Sequence, residues 1–199
     1  MRHLFIINPN AGKGKAFDTV MPLIKKAVAG REIDYEVYVS SSSQDTHDYC
    51  KRMCEAGDRL RIYACGGDGT IYDVVNAIHG FDNVEFAATP LGSGNDFIRL
   101  FGTKEEFLNL DDQVNGVPVE FDVIKCDDEI AINQCSMGID AEVCAKQAHF
   151  KKFPLLTGET AYTAAFLYCF IGKMKSRFTI TIDDGEPFTQ DVLFCVGAN

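Results

Sequence analysis

The stretch Arg61-Ile62-Tyr63-Ala64-Cys65-Gly66-Gly67-Asp68-Gly69-Thr70-Ile71-Tyr72-Asp73-Val74-Val75-Asn76-Ala77-Ile78 decides the architecture. Arg61–Cys65 is a short apolar run that ends at two glycines, as a buried strand would. Ile71–Ile78 has helical spacing, so Gly66–Thr70 is a strand-to-helix turn. The same alternation repeats upstream. His3–Asn8 reads as a strand, and a helix runs from Asp18 through Ala29, with Asp18 as its cap and Pro22 near its first turn. Asp34–Val39 is a second strand, and Gln44–Ala56 a second helix stopped by Gly57. Downstream, Glu85–Thr89 is a fourth strand, and a helical turn begins near Asn95. Regular alternation with short links predicts an α/β fold, a parallel sheet with helices on its faces.

The pattern changes near Gly116. Val117–Lys125 and Glu129–Cys135 flank Asp127-Asp128 and read as a hairpin. Helices follow at Asp140–Phe150 and Thr160–Lys173. Phe178–Ile182 and Phe188–Val196 flank Asp183-Asp184-Gly185, a second hairpin. The reading is therefore two domains, residues 1–115 and a β-rich α+β domain over 116–199. Asp111-Asp112 and Asp127-Asp128 read as solvated turns. The last strand runs into Gly197-Ala198-Asn199 with no closing element, which predicts an incomplete second domain.

Charge narrows the function classes. Among 199 residues, 29 acidic against 19 basic give a net charge of −10, which offers no overall attraction to nucleic acid. The distribution is uneven: Glu105–Glu142 holds eleven acidic residues and one basic, whereas Lys146–Arg177 holds six basic and one acidic. That basic strip, beside apolar Phe166–Ile171, suits an anionic membrane surface. The longest uncharged run, Thr160–Gly172, has thirteen residues, too few for a helix to cross a bilayer. The N-terminus breaks at Asn8-Pro9, before a signal-peptide core could form. Eight cysteines without a Cys-x-x-Cys pair read as buried free thiols. These features predict a soluble cytoplasmic protein, able to sit peripherally at the inner face of the membrane and compatible with a homodimer.

Three loops carry the chemistry. Asn8-Pro9-Asn10-Ala11-Gly12-Lys13-Gly14-Lys15 follows strand one, Gly66–Thr70 strand three, and Pro90-Leu91-Gly92-Ser93-Gly94-Asn95-Asp96 strand four. In a parallel sheet all three emerge at the carboxyl edge, where open α/β sheets bind ligands. Glycines let backbone N–H groups approach oxygens, and helices that start at once offer positive dipole ends. Lys13 or Lys15 adds a cation, and Thr70 and Ser93 add hydroxyls. Asp68 and Asp96 could hold Mg²⁺, or one could take a proton from an attacking hydroxyl. The set points to a polyphosphate site. It is not a P-loop, because Ile7 stands at the first glycine position and Gly14 at the Ser/Thr. Tyr72 and Phe97 occupy the third glycine of the two G-x-G-x-x-G strings.

These loops resemble those of the diacylglycerol kinase catalytic-domain family, which includes soluble bacterial lipid kinases and sphingosine and ceramide kinases. The matching strings are Asn8-Pro9-x-Ala11-Gly12-Lys13, Gly66-Gly67-Asp68-Gly69-Thr70 with Val74-Val75-Asn76, and Pro90–Phe97. A fourth is Asn133-x-x-Ser136-x-Gly138-x-Asp140-Ala141-x-Val143. The resemblance implies a Rossmann-like nucleotide-binding domain, a β-rich lipid-substrate domain, and transfer of the ATP γ-phosphoryl group to a lipid hydroxyl with Mg²⁺, most simply on diacylglycerol. By position it implies that Asn8, Gly12 and Lys13 line the phosphate loop and that Ser40 stands where a nucleotide-contacting Thr is usual. Gly66, Gly67, Gly69, Thr70, Gly92, Ser93 and Asn95 complete the nucleotide set. Asp68 matches the central aspartate, assigned as base in sphingosine kinases, and Asp96 a second aspartate linked to it through water and metal. Ser136, Asp140 and Glu142 lie where sphingosine kinases contact the lipid head group, and Phe166–Ile171 reads as core or as an acyl pocket. Two alternatives remain beside this: an NAD kinase-like enzyme, which shares Gly-Gly-Asp-Gly, and a nucleotide-binding regulatory module without catalysis.

Overall fold

The computed structural model describes residues 1–150, 158–171 and 175–199. Contacts group the chain into two compact units, Met1–Asn133 and Gln134–Asn199.

In the first unit, strands β1 (Arg2–Ile7), β2 (Tyr35–Val39), β3 (Leu60–Gly66) and β4 (Val84–Pro90) form one sheet in the order β2-β1-β3-β4. Every pair is parallel. A four-residue turn, α1 (Ala11–Gly14), leads into α2 (Ala16–Val28); α3 (Ser43–Glu55) and α4 (Asp68–Ile78) are the other crossover helices. Because side chains alternate along a strand, the central strands bury both faces. Leu4, Ile6, Ile62 and Ala64 pack with Tyr49, Cys50 and Cys54 of α3 and Ile71 and Val74 of α4. Phe5, Ile7, Tyr63 and Cys65 pack on the other side with Ala16, Val20, Ile24 and Ala27 of α2. The predicted α/β class is the observed one.

Several boundaries differ. Asp18 does not cap α2, which begins two residues earlier behind Lys15 and has no side-chain cap; Pro22 lies inside the helix. The missing Pro22 N–H leaves the Asp18 carbonyl without its helical donor. After the 3₁₀ turn η1 (Phe97–Leu100) come two short helices, α5 (Lys104–Leu108) and α6 (Leu110–Asn115). Asp111-Asp112 is therefore no solvated turn: it opens α6, where carboxylates favour the positive helix end, and Asp111 pairs with Arg31 at 2.5 Å. Of Val117–Lys125, only its end joins a strand, β5 (Ile124–Cys126), paired antiparallel with β6 (Glu129–Ala131). Pro118 offers no ladder donor, and Val117 is 86% exposed.

The second unit opens with β7 (Gln134–Gly138), α7 (Ile139–Phe150) and α8 (Gly158–Ile171), then β8 (Ser176–Ile180), β9 (Phe188–Val192) and β10 (Phe194–Ala198). β8 and β9 are the predicted hairpin. The run Phe188–Val196 is split, however, and β10 docks antiparallel on β7. Gln134–Asn199 thus has the expected antiparallel, α+β character. Lys173, the expected end of the second helix, lies outside the described residues. Phe166–Ile171 is core only at Cys169: Phe166, Leu167, Tyr168, Phe170 and Ile171 are exposed. Nor are all the thiols buried. Cys50, Cys54, Cys65 and Cys169 are, whereas Cys126 and Cys144 are exposed. Among the described residues no helix is long and apolar enough to cross a membrane.

Candidate functional site

The strand order places a switch point between β1 and β3, whose following loops leave the sheet in divergent directions and open a crevice at the carboxyl edge. A cavity of about 380 Å³ occupies this edge. Asn8, Ser40, Gly67, Gly69, Thr70 and Gly92 line it, six of the residues expected from sequence. Ser41, Ser42, Ser43, Thr46 and Asp73 line it as well. The sequence carried a signal for these. Ser40–Ser43 follows β2 just as the glycine loops follow the other strands, and Asp73 is one helical turn beyond Gly69.

The loops are bound to one another. The Asn8 side-chain amide donates to Thr70 Oγ1 at 3.0 Å, and Asn8 Oδ1 accepts the Asn10 N–H at 3.0 Å. The Gly12 N–H donates to the Leu91 carbonyl at 3.1 Å, and the Leu91 N–H to the Gly66 carbonyl at 2.7 Å. Gly12, Lys13 and Gly14 have φ of 59°, 59° and 81°, a left-handed turn that strains only the lysine, which has a Cβ. Gly12 braces this turn from outside the cavity lining, and the Lys13 side chain is exposed. Ser40 is buried, with its N–H bonded to the Ile7 carbonyl at 3.0 Å.

Asp68 ties the loop after β3 to the loop after β4. Its Oδ2 accepts the Asn95 N–H at 2.8 Å and its Oδ1 the Asp96 N–H at 2.7 Å. Asn95 is buried at a φ of 54°, and its side chain closes the loop through the Gly92 N–H at 2.9 Å and the Gly92 carbonyl at 2.8 Å. Asn tolerates this left-handed position because its short polar side chain bonds locally. Asp96 is exposed and pairs with Arg99 at 3.1 Å. A Cβ on Gly94 would stand 2.7 Å from Asp68 Oδ2 and 3.7 Å from Asp96 Oδ2, so this glycine keeps open the space where the two carboxylates converge. Ser93 is exposed beside them. A Cβ on Gly66 would collide with the Thr70 side chain.

Ser136, Asp140 and Glu142 belong to the other unit. Ser136 is on β7, opposite Val196, and the two carboxylates are in the first turn of α7. Among the described residues, Asp140 Oδ1 is buried without a hydrogen-bond partner.

The family model described as the diacylglycerol kinase catalytic domain matches residues 2–126. A "Probable lipid kinase YegS-like" protein of Shewanella frigidimarina is 29% identical over 197 residues, covering 95% of this chain and 60% of that one. A "Diacylglycerol kinase" of Staphylococcus carnosus is 30% identical over 165 residues, covering 81% and 52% respectively. The chain thus spans little more than half the length of these relatives. The crystal structure of a diacylglycerol kinase from Bacillus anthracis superposes with a TM-score of 0.66 at 18% identity, over 98% of this chain and 64% of that one, a likeness of fold.

Proposed function

The chain belongs to the family of the diacylglycerol kinase catalytic domain, and from that premise we propose that it transfers the γ-phosphoryl group of ATP to a lipid hydroxyl, with diacylglycerol as acceptor. The cavity at the switch point carries this reading, because glycine backbone, serine and threonine hydroxyls, two asparagine amides and the Asp73 carboxylate line it. Phosphoryl transfer needs positioning and charge neutralisation above all. α4 begins at the cavity wall, where the Asp68 and Gly69 N–H groups precede the first helical bonds, made by Thr70 and Ile71 to the Gly67 carbonyl, and suit phosphate oxygens. Lys13 supplies a cation from its exposed turn.

Mg²⁺ would be held by Asp68 and Asp96, and the residues fit it: the space kept open by Gly94 lies between their oxygens. Two carboxylates completed by phosphate oxygens are an ordinary Mg²⁺ environment. When bound, the ion neutralises charge on the phosphates. Both Asp68 oxygens already accept backbone N–H groups. A carboxylate has about four lone-pair sites, so Asp68 keeps capacity to accept the proton of the attacking hydroxyl. Ser136, Asp140 and Glu142 are the proposed lipid head-group contacts, and the acceptor is met at the inner membrane surface.

The test is transfer of labelled γ-phosphate from Mg·ATP onto detergent micelles containing diacylglycerol, ceramide and sphingosine. The expected result is labelled diacylglycerol, lost in Asp68→Asn and in Asp96→Asn. Urea unfolding separates the two variants. Asp68→Asn turns an amide N–H₂ toward a backbone N–H and lowers stability by about 1–2 kcal/mol, whereas exposed Asp96→Asn leaves the midpoint unchanged. Mg·ATP binding without labelled lipid would replace the kinase reading by a nucleotide-binding module. Absence of binding would remove the phosphate site itself.

A further inference from the structure

Asn76 ends the motif string that starts at Gly66, yet it lies eight residues beyond Asp68 in α4 and outside the cavity lining. Its side chain is bonded to backbone elsewhere. The Oδ1 atom accepts the Ile130 N–H at 2.7 Å, and the Nδ2 atom donates to the Ile130 carbonyl at 3.0 Å. Nδ2 also donates to the Tyr72 carbonyl, one turn earlier in α4, at 3.0 Å. A side-chain amide carries the same donor and acceptor as a peptide group, so Asn76 stands beside β6 as a neighbouring strand would. Ile130 needs such a partner. β6 pairs with β5 alone, with Ile130 opposite Lys125, and an edge strand leaves alternate peptide groups open. Ile130 is buried and clusters with Ile71, Val74 and Ile78 of α4, where open peptide groups are costly. Tyr72 adds a hydrogen bond from its hydroxyl to Glu129 of β6, which pushes that hydroxyl's pKa up to about 12.

Both halves of α4 are thus tied to other segments. At its start, Asp68 accepts the Asn95 and Asp96 N–H groups. About 12 Å further along the axis, Asn76 holds β6. That strand ends at Ala131, and Gln134 opens the second unit, so the chain leaves the first unit from the strand that Asn76 grips. Ser136, the first of the proposed head-group contacts, follows Ile130 by six residues. An apolar side chain at position 76 would also cover Ile130. Only a paired donor and acceptor fix the register of α4 against one residue of β6.

We propose that Asn76 is a positioning residue for phosphoryl transfer: through the Ile130 peptide groups it makes the strand leading into the second unit follow α4, the helix that starts at the phosphate site. The inference rests on the kinase reading for its purpose, since displacing a reacting group by about 1 Å costs about 100-fold in rate. The link itself is read without lipid.

Asn76→Leu removes both Ile130 bonds and keeps the side-chain volume. Its Mg·ATP dissociation constant should stay within about twofold of wild type, while kcat onto diacylglycerol micelles falls about tenfold or more. Asn76→Asp supplies a signature that packing alone does not give. As a carboxylate the new side chain faces the Ile130 and Tyr72 carbonyls with no proton to donate; once protonated it accepts and donates as the amide does. Its kcat relative to wild type should therefore recover about tenfold as pH falls from about 8 to about 6, because those carbonyls raise its pKa. Asn76→Leu should show no such recovery. Asp73 and His79 along α4, Glu129 on β6 and Lys125 on β5 are common to every variant, so the ratio to wild type cancels them. Hydrogen exchange over residues 124–131 reads the link directly: Mg·ATP should slow it in the wild type and not in Asn76→Leu. In folded Asn76→Leu, ATP affinity lost in step with kcat would overturn the proposal, as would a pH-independent ratio for Asn76→Asp or no protection by Mg·ATP in the wild type. If Asn76→Leu unfolds, the Asn76→Asp ratio decides. Labelled diacylglycerol at the wild-type rate from Asn76→Leu would reject this inference alone. Protection of 124–131 that requires Asn76, without any labelled lipid, would keep the link and reject the kinase reading alone.

Discussion

A methyl group at position 92 would sit 2.6 Å from the Cα of Gly67 and 2.9 Å from Asn95 Oδ1. Backbone cannot yield as a flexible side chain would, so Gly92→Ala must push the loops after β3 and β4 apart. Position 69 is the control, because among the described residues a Cβ there meets nothing within 4 Å. Gly92→Ala should weaken Mg·ATP binding at least tenfold and lower the urea midpoint. Gly69→Ala should keep the wild-type midpoint, because its helical position tolerates alanine, so any change in its ATP affinity measures the methyl entering the cavity. Titration calorimetry and urea unfolding of both variants check this, and equal behaviour would show that the loops do not depend on close approach. The glycines themselves were legible in the sequence. Which of them face backbone and which face open space was not, since that depends on a partner loop some twenty-five residues away in the chain.

At the scale of elements, Arg61 ties the carboxyl end of α6 to the sheet, and the Gln113 side chain of α6 donates to the Ala88 carbonyl of β4 at 3.0 Å. Arg61, on β3, donates to the carbonyls of Gln113 at 2.5 Å, Val114 at 3.1 Å and Gly116 at 2.8 Å, and pairs with Glu85 of β4 at 2.6 Å. It satisfies the open carbonyls at the helix end, where a cation is also favoured by the dipole. Arg61→Met would remove the Arg61 donor from the Val114 and Gly116 carbonyls, leave the Gln113 carbonyl only the Gly116 N–H at 3.4 Å, and leave the largely buried Glu85 carboxylate to Arg59. The expected cost is about 3 kcal/mol or more, read as a shift in the urea midpoint, with a smaller loss for Glu85→Gln because the carbonyl bonds survive. Equal losses would mean that the ion pair alone matters. From sequence, Arg61 is the first residue of an apolar strand and Asp111-Asp112 a solvated turn at the edge of the first domain. The helix went unread because six residues are too few to establish a period, and its stability comes from Leu110 and Val114 packing on α2 and from a strand residue distant in sequence.

For the whole molecule, acid should erode stability from just below neutral pH. His3 is buried with its Nδ1 2.8 Å from the Tyr63 hydroxyl, and burial, aided by the Arg61 charge, lowers its pKa from 6.5. The folded state thus disfavours a proton that the unfolded chain takes readily, and stability present above about 6.5 declines as pH falls toward the lowered folded value. Glu85 adds to this further down: burial alone would raise its pKa, but hydrogen bonds and charge from Arg61 and Arg59 outweigh burial and lower it. Its contribution is present above the unfolded carboxylate pKa and is lost as pH drops through the folded one. Urea unfolding between pH 7.5 and roughly 5 should show this fall, and His3→Gln should flatten its upper part; an unchanged slope would exclude His3.

What the chain alone established is local or periodic: the strand–helix alternation, the two-sided burial of central strands, and the glycine loops that must gather at one sheet edge. Those follow from side-chain periodicity and from glycine's access to positive φ, which neighbours in sequence reveal. What required the folded molecule is pairing between distant segments. The Asp68 carboxylate holding the Asn95 and Asp96 amides, Arg61 capping α6, the serine loop joining the cavity, and the outward turn of the large side chains of α8 depend on which surfaces meet in space. Hydrophobic pattern specifies that a face is to be covered; only three-dimensional packing selects its partner.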